Sequence, residues 1–463
     1  MRLYRNAVIL LAVLVVIVGA FVLLSIFDKK TVDNTETEAP VENLSVLDVE
    51  KENIAEITME NKEVKYILSH NDKDFELTYP SGIKYDTALV NGTFDNISKL
   101  TADKVIEDNG SNLTKFGLDN PATDTVKMKD GTVKVLEIGS ETPTKESVYV
   151  KLKGSDKIYL VSSNIISTLK VNGVYYKERR LFTPEKEDLN EIRMERNGDT
   201  SFTLDKNSDG KWAITSPVSG NVNEEQLDTM LNYFSSFSVW NFVDDKSPDL
   251  SVYGLDKPSY VMEVKSKTGS MKLLLGKEKT RDTEMYGKLA DSNDIFVLTL
   301  SSLNFLDVPL SDLFERFVYS TDIKDVTDIQ ADMDGQVTNC VLQLDPGGNK
   351  DKDKFTVNGK DASGKDENGD FYFRAYYKAL ISLMFTDLDI NAKPTGTPEI
   401  TFTYRLNKSP GTVKVELIPR NTETYYAMVD GKYTGKIVYK RDFDEPEGIR
   451  EAYKKLMQSI DKK

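Results

Sequence analysis

Residues Phe116–Gly139 read FGLDNPATDTVKMKDGTVKVLEIG, and residues Tyr253–Gly276 read YGLDKPSYVMEVKSKTGSMKLLLG. Both stretches open on an aromatic-Gly-Leu-Asp-x-Pro phrase and close on a glycine, and the shared positions lie 137 residues apart. The same offset pairs Phe75 with Trp212 on one side and Ile192 with Ile329 on the other. A match without gaps over roughly 120 residues indicates a duplicated domain, because solenoid repeats are shorter.

Each copy is predicted to contain a helix after its first strands. Asn223 is a typical N-cap, and Gln226 follows three residues later. Apolar side chains then recur at helical spacing at Leu227, Met230, Leu231, Phe234 and Phe237. The corresponding positions of the first copy are Asp86, Leu89, Val90, Phe94, Ile97 and Leu100.

After the shared phrase, apolar residues recur at every second position instead of at helical spacing. Val126, Met128, Val133 and Val135 alternate with polar residues around a turn at Lys129–Gly131. Four such strands in series predict an antiparallel meander with the helix packed on one face. The fold class is therefore α+β, in tandem repeats.

A third, divergent copy begins at Val326 and lacks the phrase. It retains a strand around Phe355, a helical stretch over 371–385, a strand in VKVELIP and a final hairpin in YYAMVDGKYTGKIVYK. The predicted divisions of the chain are a cytoplasmic tail (1–6), a transmembrane anchor (7–27), an acidic linker (28–46), and repeats 1 (47–187), 2 (188–324) and 3 (325–463).

The phrase itself predicts a backbone corner. Gly117 can adopt positive φ, and Pro121 fixes its own φ before the next strand starts. Phe116 and Tyr253 are expected to bury a ring under the corner, and Asp119 and Asp256 to bond the turn backbone. The alternative, that the two aspartates form equivalent ligand sites, is disfavoured because they are the only titratable members of the phrase.

The phrase, the strand ending in an Ile-Gly step and the following hairpin (VYVKL and IYLV in the first copy) resemble an uncharacterised bacterial family of membrane-anchored repeat domains. Members of that family are encoded beside ABC-transporter subunits and gliding-motility-type auxiliary proteins. The resemblance covers residues 47–320 and implies an extracytoplasmic accessory of a transport complex. It implies no catalytic residues.

The amino-terminal segment 7–27, AVILLAVLVVIVGAFVLLSIF, has 21 uncharged residues. As a helix it would span about 31 Å, which matches a hydrocarbon core of ~30 Å. An uncleaved single-pass anchor is favoured over a cleavable signal peptide, whose apolar region is shorter. Arg2 and Arg5 favour a cytoplasmic amino terminus, with the bulk of the chain outside the cell membrane.

Composition excludes several classes of function. The chain of 463 residues carries 60 basic and 75 acidic residues, a net charge of −15, which argues against a nucleic-acid partner. It has a single cysteine, Cys340, and a single histidine, His70. A disulfide within the chain and any site that needs two histidines are therefore excluded. His70 is predicted to be an exposed turn residue.

Two patterns resemble parts of known sites. Ser81 and Lys84, with Lys267–Gly269, resemble elements of penicillin-binding enzymes, but Lys267–Gly269 falls on a predicted hairpin turn. Asp205–Gly210 resembles the first half of a calcium loop, but Ser216 stands where a glutamate is needed. A β-turn is the preferred interpretation of Asp205–Gly210, and weak calcium binding is the alternative.

These observations predict a non-enzymatic, membrane-anchored binding or scaffold protein. We expect no catalytic, cofactor-binding or metal site. The expected partners are the membrane and the subunits of an ABC-type transporter or a cell-envelope complex. The alternatives are an envelope hydrolase acting on glycan or peptide and a solute-capture protein that supplies a permease.

Overall fold

The computed structural model describes residues 44–71, 73–107, 112–245 and 248–461, which form two compact units divided between Lys177 and Glu178. The predicted tail (1–6), the predicted anchor (7–27) and residues 28–43 of the predicted linker lie outside the described residues. Residues 44–46, predicted as linker, begin a strand. No helix among the described residues has both the length and the apolar character needed to cross a bilayer.

The first unit ends at Lys177 and contains repeat 1 without its last ten predicted residues, 178–187. Its strands are β1 Leu44–Asp48, β2 Ile54–Glu60, β3 Lys65–His70, β4 Phe75–Tyr79, β5 Lys99–Ala102, β6 Lys104–Glu107, β7 Ala122–Met128, β8 Val133–Glu141, β9 Ser147–Leu152 and β10 Ile158–Ser162. Its helices are α1 Thr87–Ser98 and α2 Ile166–Leu169. Eight strands form one antiparallel sheet in the order β4-β3-β2-β7-β8-β9-β10-β6, and β1 pairs with β5.

The second unit begins at Glu178, ten residues before the predicted start of repeat 2, and contains repeat 2. Its strands are β11 Arg180–Phe182, β12 Leu189–Arg196, β13 Asp199–Lys206, β14 Trp212–Ser216, β15 Gly220–Asn221, β16 Phe237–Ser238, β17 Asn241–Phe242, β18 Tyr260–Ser266, β19 Ser270–Thr280, β20 Glu284–Leu289 and β21 Ile295–Thr299. Its helices are α3 Glu224–Ser235, α4 Leu250–Tyr253 and α5 Leu310–Leu313. The sheet order is β15-β14-β13-β12-β18-β19-β20-β21-β17.

Repeat 3 completes the second unit. Its strands are β22 Val326–Met333, β23 Gln336–Gln343, β24 Lys354–Val357, β25 Lys360–Asp361, β26 Asp387–Leu388, β27 Ile400–Leu406, β28 Thr412–Pro419, β29 Thr424–Val429 and β30 Lys432–Tyr439. Its helices are α6 Tyr372–Ile381 and α7 Ile449–Asp461. The order β25-β24-β23-β22-β27-β28-β29-β30-β26 matches that of repeat 2 strand for strand.

The three large sheets share one plan, which confirms the predicted fold class. In each sheet an initial run of antiparallel strands lies beside a four-stranded meander, and the repeat helix connects the two in sequence. The seam between the two halves is formed by β2 with β7, β12 with β18, and β22 with β27. In repeat 1 the helix packs on the sheet through Val90, Phe94 and Ile97, which join the core that contains Ile57 and Val126.

The helix starts follow the sequence prediction, but the ends do not. The side chains of Asp86 and Asn223 cap α1 and α3 by accepting backbone N–H groups two and three residues ahead. Leu100 and Phe237, predicted as the last apolar positions of these helices, instead lie on β5 and β16. Both are fully buried, because a short strand after the helix returns the chain to the core.

The shared phrase forms a locked corner. Gly117 and Gly254 adopt left-handed φ values of 66° and 70°, and each ends a short helical turn. A Cβ on Gly139 would lie 2.2 Å from the Phe116 carbonyl oxygen, and one on Gly276 would lie 2.1 Å from that of Tyr253. The two glycines of each copy therefore allow the backbone of the corner to pack directly against the backbone of β8 in repeat 1 and of β19 in repeat 2.

Phe116 is buried under the corner as predicted, whereas Tyr253 is only half-buried and the two aspartates are not placed as predicted. Phe116 and Tyr149 meet edge to face with centroids 4.9 Å apart, as do Tyr253 and Tyr286 in repeat 2. Asp119 and Asp256 are exposed. Side chains upstream cap the turns instead: Asn112 accepts the Lys115 N–H and Asp249 accepts the Ser251 N–H.

Candidate functional site

A groove of about 810 Å³ opens on repeat 2 beside the indole of Trp212. Its walls are the turn that leads into β14, the first half of α3, and residues 315–316 of the following segment. The side chains and backbone that line it belong to Gly210, Lys211, Trp212, Asn221, Val222, Asn223, Glu224, Leu227, Asp228, Leu231, Glu315 and Arg316. This surface is called the Trp212 groove below.

Local sequence explains the floor of the Trp212 groove. Leu227 and Leu231 lie four residues apart on α3, so they share one face of the helix. In repeat 1 the corresponding residues are Phe75 in place of Trp212 and Phe94 in place of Leu231. The Phe75 and Phe94 rings lie 4.2 Å apart, and the His70 ring stacks on Phe75 at 4.3 Å. Trp212 and Leu231 both line the Trp212 groove, whereas the corresponding rings of repeat 1 are in contact with each other.

The rim of the Trp212 groove carries charges of both signs. The Asn221 amide donates to the Glu315 carboxylate at 3.0 Å, and Lys186 pairs with Asp228 at 3.0 Å. Among the described residues the structure records no ion pair for Lys211 or Arg316. An aromatic side chain surrounded by polar and charged groups is also common at the centre and rim of protein–protein interfaces.

A second groove, of about 560 Å³, lies between repeats 2 and 3. It is bordered by the edge of the repeat 2 sheet around Val218 and by the final hairpin of repeat 3 around Tyr433. Its walls are mainly apolar, with Ile214, Val218, Val318, Val413 and Val429 among them.

Residues 314–318, called the strap below, join the two repeats beside this second groove. The Glu315 N–H donates to the Asn221 carbonyl at 2.9 Å, which ties the strap to the edge of repeat 2. The Val318 N–H donates to the Leu383 carbonyl at 2.8 Å, which ties it to repeat 3 just beyond α6. The strap therefore adds hydrogen bonds to both repeats.

Lys436 on β30 holds the strap from the side of repeat 3. Its ammonium donates to the carbonyls of Glu315 at 2.9 Å and Phe317 at 2.6 Å, and the side chain is 3% exposed. It also lies over the rings of Phe314 and Phe385 at 5.8 and 5.2 Å from their centroids. Burial lowers the pKa of Lys436 to about 8, against which the Glu315 charge acts. Sequence reasoning missed this contact, because no local pattern distinguishes Lys436 from the other lysines.

The sequence-predicted enzyme pattern lies on ordinary turns. Ser81 and Lys84 lie in the connection between β4 and α1. Lys267–Gly269 forms the predicted turn between β18 and β19, and Lys267 pairs with Asp188 at 3.0 Å.

The calcium-like stretch forms the β-turn that the sequence favours. The Asn207 side-chain oxygen accepts the N–H groups of Asp209 and Lys211, and the Asp205 carboxylate accepts the Thr215 hydroxyl. Within the described ranges no group of three or more histidine, cysteine or acidic side chains lies close enough together to hold a metal ion.

His70 was predicted as an exposed turn residue, and this prediction is wrong. It is the last residue of β3 and is partly buried, with its ring on Phe75 and its Nδ1 3.1 Å from the Ile54 carbonyl oxygen. Phe75, five residues ahead on the adjacent strand β4, packs against the His70 ring at the edge of the core.

Comparison with known proteins places the repeats in a family. The family model described as "Domain of unknown function (DUF4340)" matches twice in tandem, at residues 76–217 and 212–392. No curated protein and no solved structure matches. The matched ranges cover more than half of the chain and include the locked corner of each complete copy, so the chain belongs to the DUF4340 family.

Proposed function

We propose that this chain is a membrane-anchored, extracytoplasmic binding or scaffold protein that serves an ABC-type transport or cell-envelope complex. The apolar segment 7–27 supports the anchor, since its length and lack of charge suit a bilayer. Tandem repeats of one fold support a scaffold, because several weak contacts on one chain reinforce each other through effective concentration.

The Trp212 groove is the main support for a binding role. It places the single tryptophan of β14 beside polar and charged groups in an open surface of about 810 Å³. Tryptophan is enriched among the side chains that dominate binding free energy at protein interfaces. We propose that a transporter or envelope subunit docks here.

The experiment is crosslinking in intact cells, followed by purification of the full-length chain and of a chain that lacks residues 7–27. ABC-transporter subunits should be recovered with the full-length chain and depleted with the shortened one. If no such subunit is recovered while the purified chain hydrolyses cell-wall fragments, the proposal is wrong.

Replacement of Trp212 by alanine should weaken binding of the recovered partner. Loss of a central tryptophan costs about 2 kcal/mol or more, which corresponds to roughly 30-fold in Kd. The chain has only two tryptophans, and Trp240, which is 65% exposed, lies outside the groove, so Trp240→Ala is the matched control.

The same pair of residues gives a direct optical readout. In the Trp240→Phe variant Trp212 is the only indole, and its emission should shift when the purified partner is added. An unchanged spectrum at saturating partner, or equal weakening by Trp212→Ala and Trp240→Ala, would argue against the groove.

A further inference from the structure

A carboxyl group lies in the core of repeat 1 where the other repeats carry apolar side chains. Asp124 on β7 faces Met59 across the seam of the sheet. The pairs Ile57–Val126, Ile192–Val264 and Ile329–Tyr404 set a common register for the three seams, in which the strands after the shared phrase are offset by 138 residues rather than 137 between repeats 1 and 2. Two residues further along, where Asp124 faces Met59, Met262 faces Met194 in repeat 2 and Phe402 faces Ala331 in repeat 3. The exchange of an apolar residue for an acid at a buried position needs an explanation beyond packing.

The surroundings of Asp124 do not stabilise a charge. The residue is 1% exposed, and its Oδ2 has no hydrogen-bond partner among the described residues. Its neighbours in register are Met59 on β2 and Leu136 on β8, neither of which titrates. Burial raises the pKa of Asp124 well above its ordinary value, and among the described residues no basic side chain acts against it.

The polar groups near Asp124 are hydroxyls. Tyr176 bonds Thr93 of α1 at 2.9 Å and lies 3.1 Å from the Met59 sulfur. Tyr66 of β3 meets Tyr176 edge to face at 5.0 Å, and Tyr175 meets it at 4.8 Å. Burial, and then the nearby Tyr175, Asp124 and Tyr66, raise the pKa of Tyr176 against the hydrogen bond with Thr93, so the Tyr176 hydroxyl stays neutral across the physiological range.

We propose that Asp124 makes repeat 1 a proton-linked unit, whose core is closed while this carboxyl keeps its proton and opens as the proton leaves. In the opened or unfolded chain the carboxyl is hydrated and ionises with an ordinary pKa of about 4. In the closed core it ionises only at a much higher pH. The contribution of Asp124 to the stability of repeat 1 is therefore most favourable below about pH 4. It becomes less favourable as the pH rises towards the pKa that the carboxyl has in the closed core.

Hydrogen exchange of the full-length chain measures this opening at each pH, after correction for the intrinsic exchange rate. Protection of the amides in β2, β7 and β8 should fall by about tenfold per pH unit above pH 4, because each opening releases one proton. In Asp124→Asn the side chain cannot ionise, so protection should be nearly independent of pH and higher at pH 7. Asp156→Asn, which changes an exposed carboxylate of the same repeat, should keep the wild-type slope.

Infrared spectroscopy tests the protonation state without relying on a variant's stability. The folded wild-type chain should show the C=O stretch of one protonated carboxylic acid at pH 7, and Asp124→Asn should lack it. Absence of this band in the wild type, or an equal pH slope of protection in wild type and Asp124→Asn, would overturn the proposal.

Discussion

Replacement of Gly276 by alanine should destabilise repeat 2 by on the order of 3 kcal/mol, the range of severe overpacking. The added methyl would lie 2.1 Å from the Tyr253 carbonyl oxygen and 3.0 Å from the Gly254 carbonyl carbon. Both are backbone atoms at the corner, so no side-chain rotation can relieve the clash. The corner must separate from β19, which also pulls the Tyr253 ring away from Tyr286.

A matched control is available on the same hairpin. A Cβ on Gly269 would meet no atom of the described residues within 4 Å, so Gly269→Ala should change the free energy of unfolding by less than about 1 kcal/mol. Chemical denaturation of the two variants measures the difference. Equal stability of Gly276→Ala and Gly269→Ala would show that the corner does not lock against the strand.

Replacement of Lys436 by methionine should loosen the junction of repeats 2 and 3. The change leaves the carbonyls of Glu315 and Phe317 without their donor, at a cost of about 1–3 kcal/mol for each buried group. Methionine also removes a charge whose burial lowers the lysine pKa to about 8, which offsets part of the loss. We therefore expect a net loss of about 2 kcal/mol at pH 7.

The pH dependence of the stability difference separates the effect of the lost hydrogen bonds from the effect of the removed charge. Below pH 8 the lysine is charged in both the folded and the unfolded chain, so the difference between wild type and Lys436→Met is constant. Between pH 8 and the unfolded pKa of about 10.4 the unfolded chain binds more protons, so the wild type should gain stability relative to the variant.

Lys432→Met is the control for the loss of a positive charge, since Lys432 is exposed at the start of β30. It should change stability by less than about 0.5 kcal/mol at any of these pH values. Thermal unfolding of the three proteins from pH 6 to 10 makes the comparison. A Lys436→Met chain as stable as wild type throughout would show that the strap does not depend on Lys436. A stability difference that stays flat across this range would instead show that burial does not lower the pKa of Lys436.

Sequence was sufficient for the features that depend on local chemistry. The offset between Gly117 and Gly254 predicted the tandem copies, and Asn223 predicted the start of α3. Turn residues at Lys129–Gly131 and Lys267–Gly269 predicted two hairpins that the structure contains. Turns and helix caps depend on the backbone conformation and hydrogen bonds of a few residues that are close together in sequence, so local sequence is enough to predict them.

Features that depend on contacts between distant residues escaped prediction. Leu100 and Phe237 continue a helical apolar period, but tertiary packing places them on strands. Trp212 and Leu231 are distant in sequence, and only the structure shows that both line the Trp212 groove while Phe75 and Phe94 of repeat 1 are in contact. Helix α7 was not predicted either. Arg450 on this helix donates two hydrogen bonds, of 2.8 and 2.9 Å, to Asp334, which is distant in sequence.

Site-specific photocrosslinking in intact cells tests the proposed docking role most directly. A photoreactive residue replaces Glu224 at the rim of the Trp212 groove in one strain, and Arg281 at the exposed tip between β19 and β20 in another. The proposal predicts that position 224 crosslinks to a subunit of an ABC-type transporter or envelope complex and that position 281 does not. Equal yields from the two positions, or no such subunit from either, would contradict it.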